Sequence, residues 1–158
     1  MVRKFAAGVA LLCLCPRISE GRLSYAWTFD ELRAKSDVVV IAERLGTYDT
    51  NTKALLHDIQ PAFPVVELGS EFKVLTLFKG VIKSKTFTLR HYRTDSELIK
   101  GPIANGPIFL DFSSEPTAVY LLFLVLEPDG RYAPTSGQVD PDDAVVALPK
   151  NATTVFPR

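Results

Sequence analysis

Residues that build reactive centres are scarce in this chain. Its 158 residues include two cysteines, two histidines, one methionine and one tryptophan. Both cysteines, Cys13 and Cys15, lie within the opening apolar segment, so a chain trimmed beyond them has no thiol for disulfides, nucleophilic attack or thiolate metal sites. Metal binding through imidazole needs several ligands, and His57 and His91 are far apart in sequence. Asp140-Pro141-Asp142-Asp143 lacks the glycine and ligand spacing of a calcium loop and reads as an exposed acidic turn. No cofactor or metal is expected. No apolar run approaches the roughly 20 residues needed to span a bilayer, and neither charge sign is in excess, with 18 basic and 18 acidic residues. Internal repeats and low-complexity tracts are also missing.

What is present begins with an export signal. Arg3 and Lys4 precede an apolar run from Phe5 to Cys15, too short for an anchor and typical of a secretory leader. Small residues at the positions favoured by signal peptidase place the cut after residue 21 (Ser19-Glu20-Gly21) or after residue 26 (Ser24-Tyr25-Ala26). Either cut removes both cysteines and leaves a secreted or periplasmic chain with no transmembrane anchor. Residues 27–158 then form a single domain with one core of ordinary size. Because the leader carries Arg3, Lys4, Arg17 and Arg22 against Glu20, the remainder is mildly acidic and has no global drive toward nucleic acid. Asn151-Ala152-Thr153 is a sequon that matters only in a glycosylating pathway.

The pattern along the domain is mainly β. Thr28-Phe29-Asp30-Glu31 has capping-box spacing and opens a short helix to about Lys35, with Phe29 and Leu32 facing the core. Asp37 to Ala42 is a β-branched apolar run suited to a strand covered on both faces. Gly46 to Pro64, polar and interrupted, reads as a long loop or hairpin extension. Glu71 to Phe78 alternates, with Phe72, Val74, Thr76 and Phe78 opposed to Lys73, Leu75 and Leu77. Thr86 to Tyr92 alternates again, with Phe87, Leu89 and His91 on one face. Joined by Gly80 to Ser84, these two runs predict an antiparallel hairpin.

A second capping box, Thr94-Asp95-Ser96-Glu97, predicts a helix ending near Gly101-Pro102. Short strands follow at Ile108–Phe112, Val119–Leu126, Arg131–Pro134 and Ala144–Leu148, with Pro128-Asp129-Gly130 as a turn. This ordering predicts an OB-fold-like Greek-key barrel of about five strands with two short helices, and an immunoglobulin-like sandwich is the alternative.

Ser36 to Glu43, Phe72 to Gly80 and Tyr120 to Leu124, with Asp129-Gly130-Arg131-Tyr132 and Ser136-Gly137, resemble the netrin-like, tissue-inhibitor-of-metalloproteinase-like group of exported OB-fold domains, especially its bacterial members. The resemblance implies a scaffold more than an activity. In the animal inhibitors it implies an amino-terminal Cys-x-Cys that chelates a protease zinc, which Cys13-Leu14-Cys15 resembles. Exposing Cys13 would require a cut after Leu12.

Charge distribution points to a surface. Lys73, Lys79, Lys83, Lys85, Arg90 and Arg93 cluster on the predicted hairpin with Phe78 and Tyr92, while acidic residues gather toward the carboxyl end. Lys79, Lys83, Lys85, Arg90, Tyr92 and Arg93 are therefore the candidate partner-binding residues. The expected function is an exported, non-enzymatic module that binds a protein, an anionic polysaccharide or an envelope component. Inhibition of a metalloprotease is the alternative, and a hydrolytic enzyme using His57 or His91 has the least support. Export makes nucleic acid an unexpected partner.

Overall fold

A computed structural model describes residues 26–59, 61–101, 103, 106–112 and 118–149. The leader, both cysteines and the Asn151 sequon lie outside them. The element order is α1 (Phe29–Lys35), β1 (Val38–Leu56), β2 (Phe63–Lys79), β3 (Thr86–Thr94), β4 (Val119–Leu126), β5 (Tyr132–Pro134), a one-turn 3-10 helix (Asp142–Ala144) and β6 (Val145–Leu148). None of the described helices is long and apolar enough to cross a membrane.

The capping box starts α1 as its residues predict. Thr28 accepts from the Glu31 backbone at 3.3 Å, and the Glu31 carboxylate accepts from the Thr28 backbone at 2.9 Å. Leu32 is buried with Val39, Phe123 and Ala144. Phe29, expected in the core, is instead exposed, with its ring 5.7 Å from Phe123. A helix of two turns resting on a sheet covers only a narrow stripe, and Leu32 fills it.

The strands close into a barrel-like sheet. β1 pairs antiparallel with β2 and also with β4, β2 with β3, and β4 with β5 and β6; the one parallel contact among the described residues is β3 with β5. Following neighbours around gives the ring β1-β2-β3-β5-β4-β1. β1 has strand partners at both edges from Val39 to Glu43, and its apolar run is covered on both faces: Val38, Val40 and Ala42 lie in the core, while Val39 clusters with Leu32 of α1 and Phe123.

Phe72 stands at the centre of the core, fully buried. Its ring stacks on Phe87 at 5.6 Å and meets Phe112 and Tyr120 edge-on at 5.5 and 5.9 Å. Val40, Leu89, Leu122 and Leu124 complete the layer. Such a close-packed aromatic centre is the main source of hydrophobic stabilisation in a domain without disulfides.

Three further expectations are corrected, and one pair of alternatives is decided. Gly46 to Pro64 is a hairpin extension and not a loop: β1 and β2 continue beyond the core as a paired arm, with Tyr48 opposite Gly69 and Leu56 opposite Phe63. Its polar residues bury no common face, so hydrophobic alternation could not reveal it.

Thr94 to Glu97 does not open a helix. Thr94 ends β3, and Asp95 closes one turn through its carbonyl, which accepts from Leu98 and Ile99, and through its carboxylate, which accepts from Glu97. Ile108 to Phe112 is irregular rather than strand; it crosses the end of the barrel and inserts Phe112 into the core.

The alternation of Glu71 to Phe78 is also broken. Val40 pairs with Leu77 and Val39 with Lys79, and Ala42 pairs with Val74 and Ile41 with Thr76, leaving Phe78 and Leu75 as extra residues at two bulges.

Gly80 has a requirement no other residue meets. Its φ is +84°, and a Cβ there would lie 2.1 Å from the Asp37 carbonyl oxygen. Gly130 has a similar φ of +83° but open space around it. Gly80→Ala is expected to lose more stability than Gly130→Ala, which should cost about 1 kcal/mol from its backbone conformation alone. Urea unfolding of the two variants measures the difference.

Candidate functional site

The predicted basic cluster separates into two populations. Lys79 donates to the Arg33 and Ala34 carbonyls at 2.6 and 3.1 Å, capping the end of α1. Arg93 donates to Asp49 at 2.8 Å, across to the β1 arm, and holds that carboxyl below its ordinary range. Arg90 pairs with Glu127 and lies 3.8 Å from Glu67. Tyr92 is buried in a small cluster with Phe63 and Val65, and its phenol is pushed up mainly by that burial. Of the six candidates, only Lys83 and Lys85 are exposed with ammonium groups that meet no carboxylate among the described residues.

Arg90 belongs to an ionic network on the outer face of β2, β3 and the β4–β5 turn. Arg131 donates to Glu67 at 2.6 Å and to Asp129 at 2.7 and 2.9 Å. Glu67 is buried, and Arg131 is raised by its bonds to Glu67 and then Asp129. Burial pushes Glu127 up, against the attraction of Arg90. This network is structural in its geometry: every member faces another member.

Lys83 and Lys85 lie next to something the charge pattern did not mark. Leu75, Leu77, Phe78 and Val81 are 44, 40, 58 and 74% exposed. The β2–β3 ladder stops at Lys73–Thr86, followed by one bond from the Val74 N–H to the Lys85 carbonyl, so β2 continues with β1 as its strand partner. The end of the hairpin thus presents four apolar side chains, a free strand edge and two unpaired ammonium groups. The signal in the sequence was the run Leu75-Thr76-Leu77-Phe78, too apolar for a strand end facing water.

Comparison with protein-family models, curated proteins and solved structures finds no match.

The histidines lie in unlike settings. His57 is exposed on the turn after β1. His91 is buried in the barrel, with its Nε2 2.9 Å from Ser70 Oγ and its ring 5.1 Å from Phe112. Ser70 Oγ lies 2.6 Å from Thr47 Oγ1. Burial pushes the imidazole down to about 4, although the Leu110 carbonyl and the Asp111 carboxylate act in the opposite direction. With Ser70 fully buried, a serine–histidine pair of this kind has no open path to an incoming carbonyl. No cluster of three or more histidine, cysteine, aspartate or glutamate side chains suited to a metal occurs among the described residues. Asp140 accepts from Ile108, and Asp143 from Trp27, each at 3.0 Å.

His91 carries a pH dependence with a definite sign. Its protonation is disfavoured in the folded state, so the stability it supports is full above about pH 6.5 and is lost as pH falls through about 4. That loss amounts to about 3 kcal/mol between pH 7 and pH 4. His91→Gln should be less stable at pH 7 yet show a shallower decline over that interval. Urea unfolding of both proteins at the two pH values checks this.

Proposed function

We propose that residues 27–158 form an exported, non-enzymatic binding module of the OB type, which engages a protein partner through the protruding end of the β2–β3 hairpin. The ring order β1-β2-β3-β5-β4-β1, with its single parallel contact, supports the OB reading. The basic, then apolar, then small-residue order of the first 26 residues supports export. Burial of the Ser70–His91 pair and the pairing within the Glu67 network favour binding over catalysis.

The observation that carries the reading is the juxtaposition of exposed Leu75, Leu77, Phe78 and Val81 with the unpaired Lys83 and Lys85. A purely anionic polymer would satisfy the lysines but leave the four apolar side chains in water. A protein segment that mixes acidic and apolar residues satisfies both, and an extended one also meets the free edge of β2. Inhibition of a metalloprotease would act through Cys13-Leu14-Cys15, remote in sequence from this surface.

The immobilised secreted chain is titrated with a peptide alternating glutamate and valine, with polyglutamate, and with heparin. The mixed peptide is expected to bind best. Lys83→Glu with Lys85→Glu, and separately Leu77→Ser, should each weaken it at least about tenfold, equivalent to about 1.4 kcal/mol. Both sets of positions are on the surface, so folding should change by less than about 0.5 kcal/mol. Equal binding of heparin with indifference to Leu77→Ser would replace a protein partner by a polymer, and failure of all three ligands would overturn the reading.

A further inference from the structure

Trp27 stands just ahead of α1, and its backbone nitrogen sits against a carboxylate. The Trp27 N–H donates to Asp143 Oδ2 at 3.0 Å, joining the start of the domain to the one-turn 3-10 helix before β6. Its side chain is half-buried against Leu32, Val39, Phe123 and Ala144, and the Lys35 ammonium lies 4.6 Å from the centre of its ring. Ala26, directly before it, is exposed.

Asp143 meets no lysine or arginine among the described residues. An amide brings no charge of its own to that carboxylate, whereas an ammonium at the same atom adds Coulomb attraction at hydrogen-bond distance. The sequence offers a way to make one. Ser24-Tyr25-Ala26 carries small residues one and three positions before the Ala26–Trp27 bond, as signal peptidase requires.

We propose that the Ala26–Trp27 bond is the processing site, and that the α-ammonium so created pairs with Asp143 and latches the new terminus to the 3-10 helix. In the hydrolysis, carried out by a signal peptidase, the oxygen of one water stays on Ala26 as part of a carboxylate. Both hydrogens of that water end on the Trp27 nitrogen, which becomes the ammonium. An ammonium just ahead of α1 faces the positive end of the helix dipole, and Asp143, with Asp30 and Glu31 of the first turn, supplies the opposing charge. A cut after Gly21 places the amine on Arg22 instead and leaves Asp143 with a neutral amide. The latch rests on the export reading and goes beyond it by choosing between the two cuts.

The full chain with its own leader is expressed in a bacterial and in an insect secretion host, and the mass of the released protein is measured. It should begin at Trp27. That product and a chain begun at Arg22, released from a carrier, are then compared with their Asp143→Asn variants by urea unfolding at about 0.1 M and about 1 M salt. Asparagine still accepts from an amide, so any excess effect in the Trp27 chain reports the terminal charge. At the lower salt, Asp143→Asn should reduce the folding equilibrium constant about two- to fivefold more in the Trp27 chain than in the Arg22 chain, and most of that excess should vanish at the higher salt. A released chain that begins anywhere else, or an equal effect of Asp143→Asn in both chains, overturns the latch and leaves export standing. A chain that keeps its leader in both hosts overturns export as well.

Discussion

The seam between β3 and β5 is the constraint on which the barrel depends. Among the described residues it is the only parallel contact in the sheet, and its backbone register amounts to the single pair Leu89–Tyr132. Three residues of β5 cannot hold two parts of a barrel together by main-chain bonding alone. Side chains do it instead. Inside, the rings of Phe87 and Tyr132 meet edge-on at 5.3 Å. Outside, Arg90 of β3 and Arg131, beside β5, converge on Glu67 of β2, while Glu127 and Asp129 occupy their remaining faces. Gln138 adds a bond to the Arg90 carbonyl at 3.0 Å. Closure therefore rests on an ionic network over a packed aromatic pair, and the charges in it are held by geometry against the cost of partial burial.

Closing at that seam fixes what the two ends can do. At one end β2 outruns β3, and the bulges at Leu75 and Phe78 turn consecutive apolar side chains outward. At the other, β1 and β2 continue as an arm whose regular pairing is interrupted between Asp49 and Lys53. There Asn51 has φ of 58° and donates to Asp49 at 2.7 Å. Gly69 is shielded by the Tyr48 ring, which lies where a Cβ would be, 2.5 Å away. The irregular segment carrying Phe109 and Phe112 crosses this second end and forms one wall of a cleft that His91 also lines. An apolar, lysine-flanked edge and a histidine-lined cleft are thus separate consequences of one barrel.

The candidate surface was only partly legible in the sequence. A count of basic residues on the hairpin brought Lys83 and Lys85 forward but grouped them with Lys79, Arg90 and Arg93. Those three are engaged by the carbonyls of Arg33 and Ala34, by Glu127 and by Asp49, none of which is near them in sequence. Tyr92 looked like an outward aromatic by alternation, yet the small cluster around Phe63 covers it. The cleft had no sequence signature, because Thr47, Ser70 and His91 come from three strands.

What the sequence alone determined was local. Thr28 and Glu31 specify a helix start because both bonds close within four residues. The apolar run Val119–Leu126 between Pro116 and Pro128 specifies a central strand by its length and flanks, and Gly80 specifies a turn that only glycine can make. Tertiary structure decided the rest. A capping box at Thr94 became a single turn after a strand, a polar stretch became a paired arm, and five charged side chains became the clasp of a barrel. Each of these depends on partners that only folding brings within reach, and pairwise attraction over a few ångströms leaves no mark on the order of residues along a chain.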